Sequence, residues 1–412
     1  MFSLFRLFKS LIARDLVEGL RLKVVTRGVH RIHADDSIDP RAAGLHGFTM
    51  SLGRELQGLE ASWIDIDNAD AATAERIVAE PPHPKGEGAA IRSGRRYERR
   101  LLASALPAGS SEAVPHRTRG VYFVLGGSGG IGLELARRLT ESVQARVVLV
   151  GRSPLDERRQ TALSAIGGEI LYLQADATDP ESMKAAVAQA TERFGPIHGV
   201  FHSAITLKDK TLENMDEATL RMATDAKIRG SAVLVQVFEN HALDFMMFFS
   251  SALSFSGNAG QANYAAGCTF KDAYAHAIAA RVRFPVKIMN WGYWGTVGIV
   301  ASELYNKRLA AAGLFSIQPE QGMEAVERLL SSPATQTMFI NANESFLEDI
   351  NVDTGHHLLR APESNLPCLE GAMDRSAGAY EEPERIQTFY QELDRLGALL
   401  ALQCFQKAGV FT

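Results

Sequence analysis

Tyr264, Ser251 and a glycine-rich turn at 126–132 are the parts of this sequence best suited to chemistry. Hydride reduction of a carbonyl needs a proton donor at the carbonyl oxygen, and a tyrosine serves when a neighbouring cation stabilises its phenolate. A hydroxyl beside it polarises the carbonyl further. Ser251 closes the apolar run 245–249, and thirteen residues later Tyr264 enters the helical segment Ala265, Ala266, Gly267, Cys268. A strand-end serine and a helix-borne tyrosine can therefore meet above one ligand. On helix spacing alone, Lys271, seven residues after Tyr264, is a candidate for the cation.

The turn supplies the ligand. Residues 121–125 are apolar, and Gly126, Gly127, Ser128, Gly129, Gly130, Ile131 and Gly132 follow them directly, leading into a helix with Ile131, Leu135 and Leu139 on one face. Glycines there allow a tight turn and close backbone approach, and the helix N-terminus offers free N–H groups to a pyrophosphate. Twenty residues beyond Gly132 stand Arg152 and Ser153, where an NAD binder carries an acid on the ribose hydroxyls. A guanidinium fork suits a 2'-phosphate, so NADPH is expected in place of NADH. Asp176 and Ala177 end the third strand, where the carboxylate either accepts from the adenine amino group or caps the next helix. His202, Ser203 and Ala204 end the fourth, along the expected ribose and nicotinamide.

These residues need a scaffold of alternating strands and helices. Apolar runs near 121–125, 146–150, 169–174, 197–202, 243–249, 286–291 and 336–340 read as seven strands joined by helical crossovers. The fold class is α/β, a doubly wound parallel sheet that binds ligands at the strands' carboxyl ends. Upstream, strands at 22–26 and 62–66 alternate with helices opening at Asp39-Pro40 and spanning 71–79, yet no glycine-rich turn follows either strand. Residues 1–105 therefore read as a truncated Rossmann-like structural subdomain, with its arginines at 92, 95, 96, 99 and 100 edging a strand pair. A linker is expected at 106–118, the catalytic subdomain at 119–345 and a second linker at 346–382. An amphipathic helix over 383–412, with Ile386, Phe389, Leu393 and Leu400 on one face, would open a following domain.

Composition removes several function classes. The chain of 412 residues carries 43 Lys+Arg against 48 Asp+Glu, a net charge of -5, so no basic field exists to hold nucleic acid or an acidic membrane. Cys268, Cys368 and Cys404 are too dispersed for a metal knuckle and too few for a disulfide framework, which fits a reducing cytoplasm; no metal site is expected. No apolar run approaches the roughly 18 residues that span a bilayer. The face formed by Leu4, Phe5, Phe8, Leu11 and Ile12 either docks on the following domain or serves as a targeting helix.

The constellation resembles the short-chain dehydrogenases/reductases and, more narrowly, the ketoreductase domains of modular polyketide synthases, the trans-acyltransferase type included. Its marks, over residues 15–345, are the glycine turn, Gly151-Arg152-Ser153, His202-Ser203-Ala204, Lys227, Phe249-Ser250-Ser251, the stretch from Gly260 and Gln261 to Tyr264, and that from Asn290 and Trp291 to Gly295. The resemblance implies a Rossmann fold of short-chain dehydrogenase type and a catalytic set of Tyr264, Ser251 and Lys227. In ordinary members the lysine comes four residues after the tyrosine, the position of Cys268 here; polyketide ketoreductases take it from an earlier helix and usually carry Asn at that place. It implies NADPH-dependent reduction of a β-ketoacyl thioester held by phosphopantetheine on an acyl carrier protein, with neighbouring synthase domains as partners. Leu207, Lys208 and Asp209 align with a Leu-Asp-Asp triplet that marks formation of the D-alcohol, and Ser256 stands where the opposing class has Trp. With Asp209, Gln261 and Trp291 are the expected substrate and stereocontrol residues; Asp209 otherwise reads as a solvated loop acid, and Trp291 and Trp294 as core aromatics below a lid at 293–315. Two other functions fit parts of the pattern: an inactive docking relic of such a reductase, and a free-standing reductase of small ketones.

Overall fold

The computed structural model describes residues 1–358, apart from 34, 84, 105, 107–115 and 298–302. The expected helix over 383–412, most of both linkers and part of the lid lie outside the described residues. The chain opens with α1 (Phe2–Ile12), β1 (Arg21–Arg27), α2 (Gly44–Glu55), β2 (Glu60–Ile66), α3 (Ala71–Ala79), β3 (Gly88–Arg92), β4 (Arg95–Glu98) and β5 (Leu101–Ser104). Strands β1, β2 and β3 pair in parallel, and β4 returns antiparallel along β3, so the arginine-rich stretch does edge a strand pair. Asp39 caps a short 3-10 turn, Pro40–Ala42, just ahead of α2.

The larger sheet follows: β6 (Val121–Leu125), α4 (Gly130–Val143), β7 (Arg146–Gly151), α5 (Glu157–Ile166), β8 (Glu169–Gln174), α6 (Pro180–Phe194), β9 (Gly199–His202), α7 (Glu217–Phe238) and β10 (Phe245–Ser251). The short α8 (Leu253–Ser256) leads to α9 (Ala262–Ala279), β11 (Val286–Trp291), α10 (Glu303–Ala311), β12 (Leu314–Phe315), α11 (Pro319–Ser331), β13 (Gln336–Phe339) and β14 (Asn341–Ala342). Seven strands lie in the order β13-β11-β10-β9-β6-β7-β8, all parallel, with one apolar core on each face. Every residue of β6 and β10 is buried, as expected for strands covered on both sides. The order reverses beside β6, so the carboxyl ends of β6 and β9 flank the crevice where such sheets bind ligands.

Three features depart from, or decide between, the sequence expectations. Past residue 345 the chain is no linker at first: α12 (Glu344–Asp349) and β15 (Val352–Leu358) follow, and β15 pairs in parallel with β5. The first helix docks. Phe2, Phe5 and Phe8 are buried against Leu212, Met215, Leu220, Ala262 and Ala266, while Arg6 forms a bidentate pair with Glu217 at 2.9 Å. Finally, α2 packs directly on α9. A Cβ on Gly47 would sit 2.2 Å from the Ala265 carbonyl oxygen, so only glycine permits this approach, and the Gly47 N–H donates to Thr269 Oγ1 at 3.3 Å. No helix among the described residues is long and apolar enough to cross a membrane.

Candidate active site

One cleft of about 1250 Å³ runs along the carboxyl ends of the large sheet. At one end it is lined by Gly126, Ser128, Gly129, Gly130 and Ile131. Gly126 takes a φ of +81°, and a Cβ there would lie 2.5 Å from the Ala204 nitrogen, so the turn admits only glycine. Gly129 precedes α4 in extended conformation without a side-chain cap, which leaves the first N–H groups of the helix facing the cleft. Gly132 does not line the cleft; its Cα packs on Gly127, where a Cβ would meet the carbonyl oxygen at 2.6 Å.

Arg152 and Ser153, just past β7, are exposed on the cleft wall. Arg159, on the first turn of α5, lines the same wall; nothing in its sequence spacing marks it, because its place depends on how α5 packs against α4. Asp176 and Ala177 also line the cleft. Asp176 Oδ1 accepts from the Thr178 N–H and hydroxyl, both at 2.8 Å, and Asp179 caps α6 instead. Ser203 and Ala204 face the cleft, whereas His202 turns the other way. Its ring is fully buried, with Nδ1 3.4 Å from Lys271 Nζ and Nε2 without a partner. Burial, with Lys271 and Lys227 close by, holds that imidazole well below its usual range and so neutral. These residues fit a dinucleotide: a turn whose Gly126 and Gly130 leave no room for a Cβ, free helix N–H groups, and two guanidinium groups on the adjoining wall.

At the centre stand Ser251, from the end of β10, and Tyr264, on the first turn of α9, both lining the cleft. Lys227, on α7, lies behind the tyrosine, fully buried, with Nζ 4.3 Å from the ring centroid. Its Nζ also donates to Cys268 Sγ at 3.2 Å. Burial pushes the Tyr264 phenol up to about 12, against the pull of the Lys227 ammonium and the Ser251 hydroxyl. Burial alone would lower Lys227, but the charge that Cys268 and Tyr264 can carry more than offsets it, and the ammonium is held above the ordinary lysine value. Burial also raises the Cys268 thiol. Lys271 is turned away: Nζ donates to the Phe249 carbonyl at 3.1 Å, and burial followed by the like charge of Lys227 drives it well below the lysine range.

Supporting residues emerge whose roles the sequence did not assign. Gly267 gives the Lys227 stem its room, since a Cβ there would lie 2.6 Å from Lys227 Cδ. Asn263 accepts from the Tyr264 N–H at 2.9 Å and donates to the Lys208 carbonyl at 3.0 Å, tying the head of α9 to the loop after β9. Buried Asn290 donates to the Ser251 carbonyl at 3.0 Å and to Asp272 at 2.8 Å, fixing the end of β10 from below. For Gly267 a glycine within a helix was the signal available, whereas Asn263 and Asn290 lie in stretches that carried the resemblance but had no role assigned to them. At the cleft mouth, Gln261 donates to Asp209 at 2.7 Å. Trp291 lines the cleft and is otherwise packed edge-on against Phe249 and Trp294. Arg308 and Leu309 of α10 also line the wall.

Sheet order, glycine turn and the serine-tyrosine-lysine cluster define a Rossmann-fold oxidoreductase of the short-chain dehydrogenase/reductase type. Residues 120–296 match the KR domain family, and the chain belongs to it: the ketoreductase domains of polyketide synthases, which are oxidoreductases. Polyketide synthase ThaG of Burkholderia thailandensis is 42% identical over 346 residues, which is 82% of this chain and 6% of that protein. Polyketide synthase PksM of Bacillus subtilis is 32% identical over 416 residues, 99% of this chain and 10% of that protein. The chain thus spans a tenth or less of these relatives. A structure of A-type ketoreductases from a modular polyketide synthase superposes with a TM-score of 0.73 at 26% identity, covering 86% of this chain and 76% of that one. A ketoreductase domain from the bacillaene assembly line shares the fold at a TM-score of 0.73 and 23% identity, over 85% and 84% of the two chains.

Proposed function

We propose that this chain reduces a β-ketoacyl thioester, carried by phosphopantetheine on an acyl carrier protein, to the D-β-hydroxyacyl thioester, using NADPH, within a larger synthase in the cytoplasm. The observation that carries the reading is the Lys227 ammonium 4.3 Å from the Tyr264 ring, beside Ser251, in the cleft that the glycine turn opens. A nicotinamide held along the glycine turn would supply the hydride for the carbonyl carbon. Ser251 holds the carbonyl oxygen by hydrogen bonding and Tyr264 delivers its proton there. With its phenol raised to about 12, Tyr264 is protonated at neutral pH, as a proton donor must be. Lys227 stabilises the phenolate as the proton leaves. Arg152 and Arg159 support the choice of NADPH, and their fork geometry suits a phosphate.

Asp209, held by Gln261, and Ser256 at the position of the opposing class's Trp support the D-configured product. The deciding assay follows NADPH oxidation with a β-ketoacyl thioester surrogate for wild type, Tyr264→Phe, Lys227→Met and Lys271→Met, with chiral analysis of the alcohol. Turnover lost in the first two variants and kept in Lys271→Met supports the assignment. Wild type that binds NADPH and reduces no ketone refutes it, and an L alcohol refutes the stereochemical part.

A further inference from the structure

Loops from two parts of the chain line the cleft together with Tyr264. One follows β9 and brings Asp209, Lys210 and Thr211 to the wall; the other leads from α8 to α9 and brings Asn258, Gly260 and Gln261. They touch each other. Gln261 Nε2 donates to Asp209 Oδ2 at 2.7 Å, while its Oε1 accepts from Asn258 Nδ2, also at 2.7 Å. Gly260, at a φ of +75°, stands beside Thr211, whose nitrogen a Cβ there would approach to 3.8 Å. An exposed side-chain bond such as that from Gln261 to Asp209 contributes on the order of 1 kcal/mol, little to hold two loops in register. A stronger tie comes from the N-terminal subdomain. Glu55, the last residue of α2, sends one carboxylate oxygen to each loop: Oε2 accepts from the Gly260 N–H at 2.8 Å, and Oε1 accepts from the Leu212 N–H. Hydrogen bonds to an ionised carboxylate are roughly twice as strong as neutral ones. The same helix seats both loops. Leu212 is buried in one apolar cluster with Phe48 and Leu52. Ser51 Oγ accepts from the Asn258 N–H at 3.3 Å, and Arg54, itself on the cleft wall, donates to the Ser256 carbonyl at 2.6 Å and to Asp349 at 3.3 Å.

We infer that Glu55 is a positioning residue for stereochemistry: its carboxylate fixes the spacing of the loops that carry Asp209 and Gln261. The inference rests on the ketone-reduction and stereocontrol reading above. Ser251 and Tyr264 fix the carbonyl oxygen, and hydride arrives from the cofactor side of the cleft. The two possible alcohols then differ only in which side of the carbonyl carbon the acyl chain occupies. The walls on either side decide that, and these loops form the wall at the tyrosine. Bridging them takes two acceptors on one side chain. Glutamine offers one acceptor and turns its NH2 towards the other N–H, whereas aspartate keeps both oxygens but is a methylene short of spanning the gap. The N-terminal subdomain, which has no cofactor turn of its own, thereby contributes to the choice of product.

The test measures the ratio of major to minor alcohol formed from one N-acetylcysteamine β-ketothioester, with the Kd for NADPH as a check on folding. Wild type is compared with Glu55→Gln, Glu55→Asp, Gln261→Ala, the Glu55→Gln/Gln261→Ala double variant and Arg6→Ala. Both Glu55 variants should lower the ratio on the order of tenfold and leave NADPH binding unchanged, since Glu55 touches neither the glycine turn nor Arg152. The double variant should be no less selective than Gln261→Ala, because Glu55 acts through the loop contact. Arg6→Ala breaks the pair with Glu217 and touches neither leg of the clamp, so it should keep the wild-type ratio. A wild-type ratio in either Glu55 variant, an equal fall in Arg6→Ala, additive falls in the double variant, or lost NADPH binding in both Glu55 variants overturns the inference and leaves the ketoreductase reading standing. Wild type that favours neither alcohol overturns the stereochemical reading with it. Wild type that reduces no ketone overturns the ketoreductase reading as well.

Discussion

Replacing Gly267 by alanine tests whether Lys227 acts through its position. Gly267 lies inside α9, where alanine in place of glycine ordinarily stabilises by about 1 kcal/mol. Here the added Cβ would meet Lys227 Cδ at 2.6 Å, Cβ at 3.2 Å and Cγ at 3.4 Å. Only Cδ can swing clear, and it carries Nζ with it, away from the Tyr264 ring and from Cys268. Overpacking of this kind costs about 1–3 kcal/mol, so the net change in stability should stay within about 2 kcal/mol. Catalysis should suffer far more: losing one positioned electrostatic group costs about 10²–10³ in kcat. The assay measures kcat, KM and Tm for Gly267→Ala, Lys227→Met and the double variant at saturating NADPH. The double variant should be no slower than Lys227→Met, because the alanine acts only through the lysine. A Gly267→Ala enzyme with wild-type kcat, or additive losses in the double variant, would refute the reasoning.

Further consequences concern the cofactor, the thiol and acid stability. Arg152→Ala should raise KM for NADPH on the order of tenfold while leaving KM for NADH nearly unchanged; equal effects on the two remove the phosphate-reading role. Cys268→Ala, which deprives a buried ammonium of its acceptor, should cost about 1.5–3 kcal/mol of stability, whereas Cys268→Asn should retain it, as urea melts would report. His116 packs edge-on against Tyr122, and burial lowers its pKa to about 4. A histidine depressed in the folded state contributes fully above its unfolded value near 6.5 and loses that contribution as pH falls towards 4, here by about 3 kcal/mol at pH 4. His116→Phe should therefore lose less stability than wild type between pH 7 and 4, and identical pH slopes in the two proteins would contradict this.

Much of the scaffold was legible because parallel strands buried on both faces write themselves as unbroken apolar runs, as in β6 and β10. The same continuity hides orientation: in β9 every residue is buried, so no alternation told that His202 faces the core while Ser203 faces the cleft. Lys227 and Lys271 are both fully buried, and each lies within one helix of the tyrosine. Helix spacing alone offered Lys271 and the resemblance offered Lys227; only the packing of α7 on α9, a tertiary fact, brings the Lys227 ammonium against the tyrosine ring. The strand β15 escaped notice because its sequence, from Val352 through Asp353 to His356 and His357, lacks any apolar alternation, and pairing with β5 alone asks for none. Arg54 was invisible for another reason: its place on the cleft depends on α2 meeting α8 and α12, segments about 200 and 300 residues away.

The contact of Gly44 and Gly47 with the backbone of Ala265 and Ala266 bears on how such proteins can be recombined. A crossover placed between the two subdomains would seem safe from chain order alone. Yet the tyrosine-bearing helix rests on those two glycines, and any donor half with a larger residue at either position would lever α9 outward and take Tyr264 with it. Grafts between these enzymes should therefore move α2 and α9 as a matched pair, however far apart they stand in the chain.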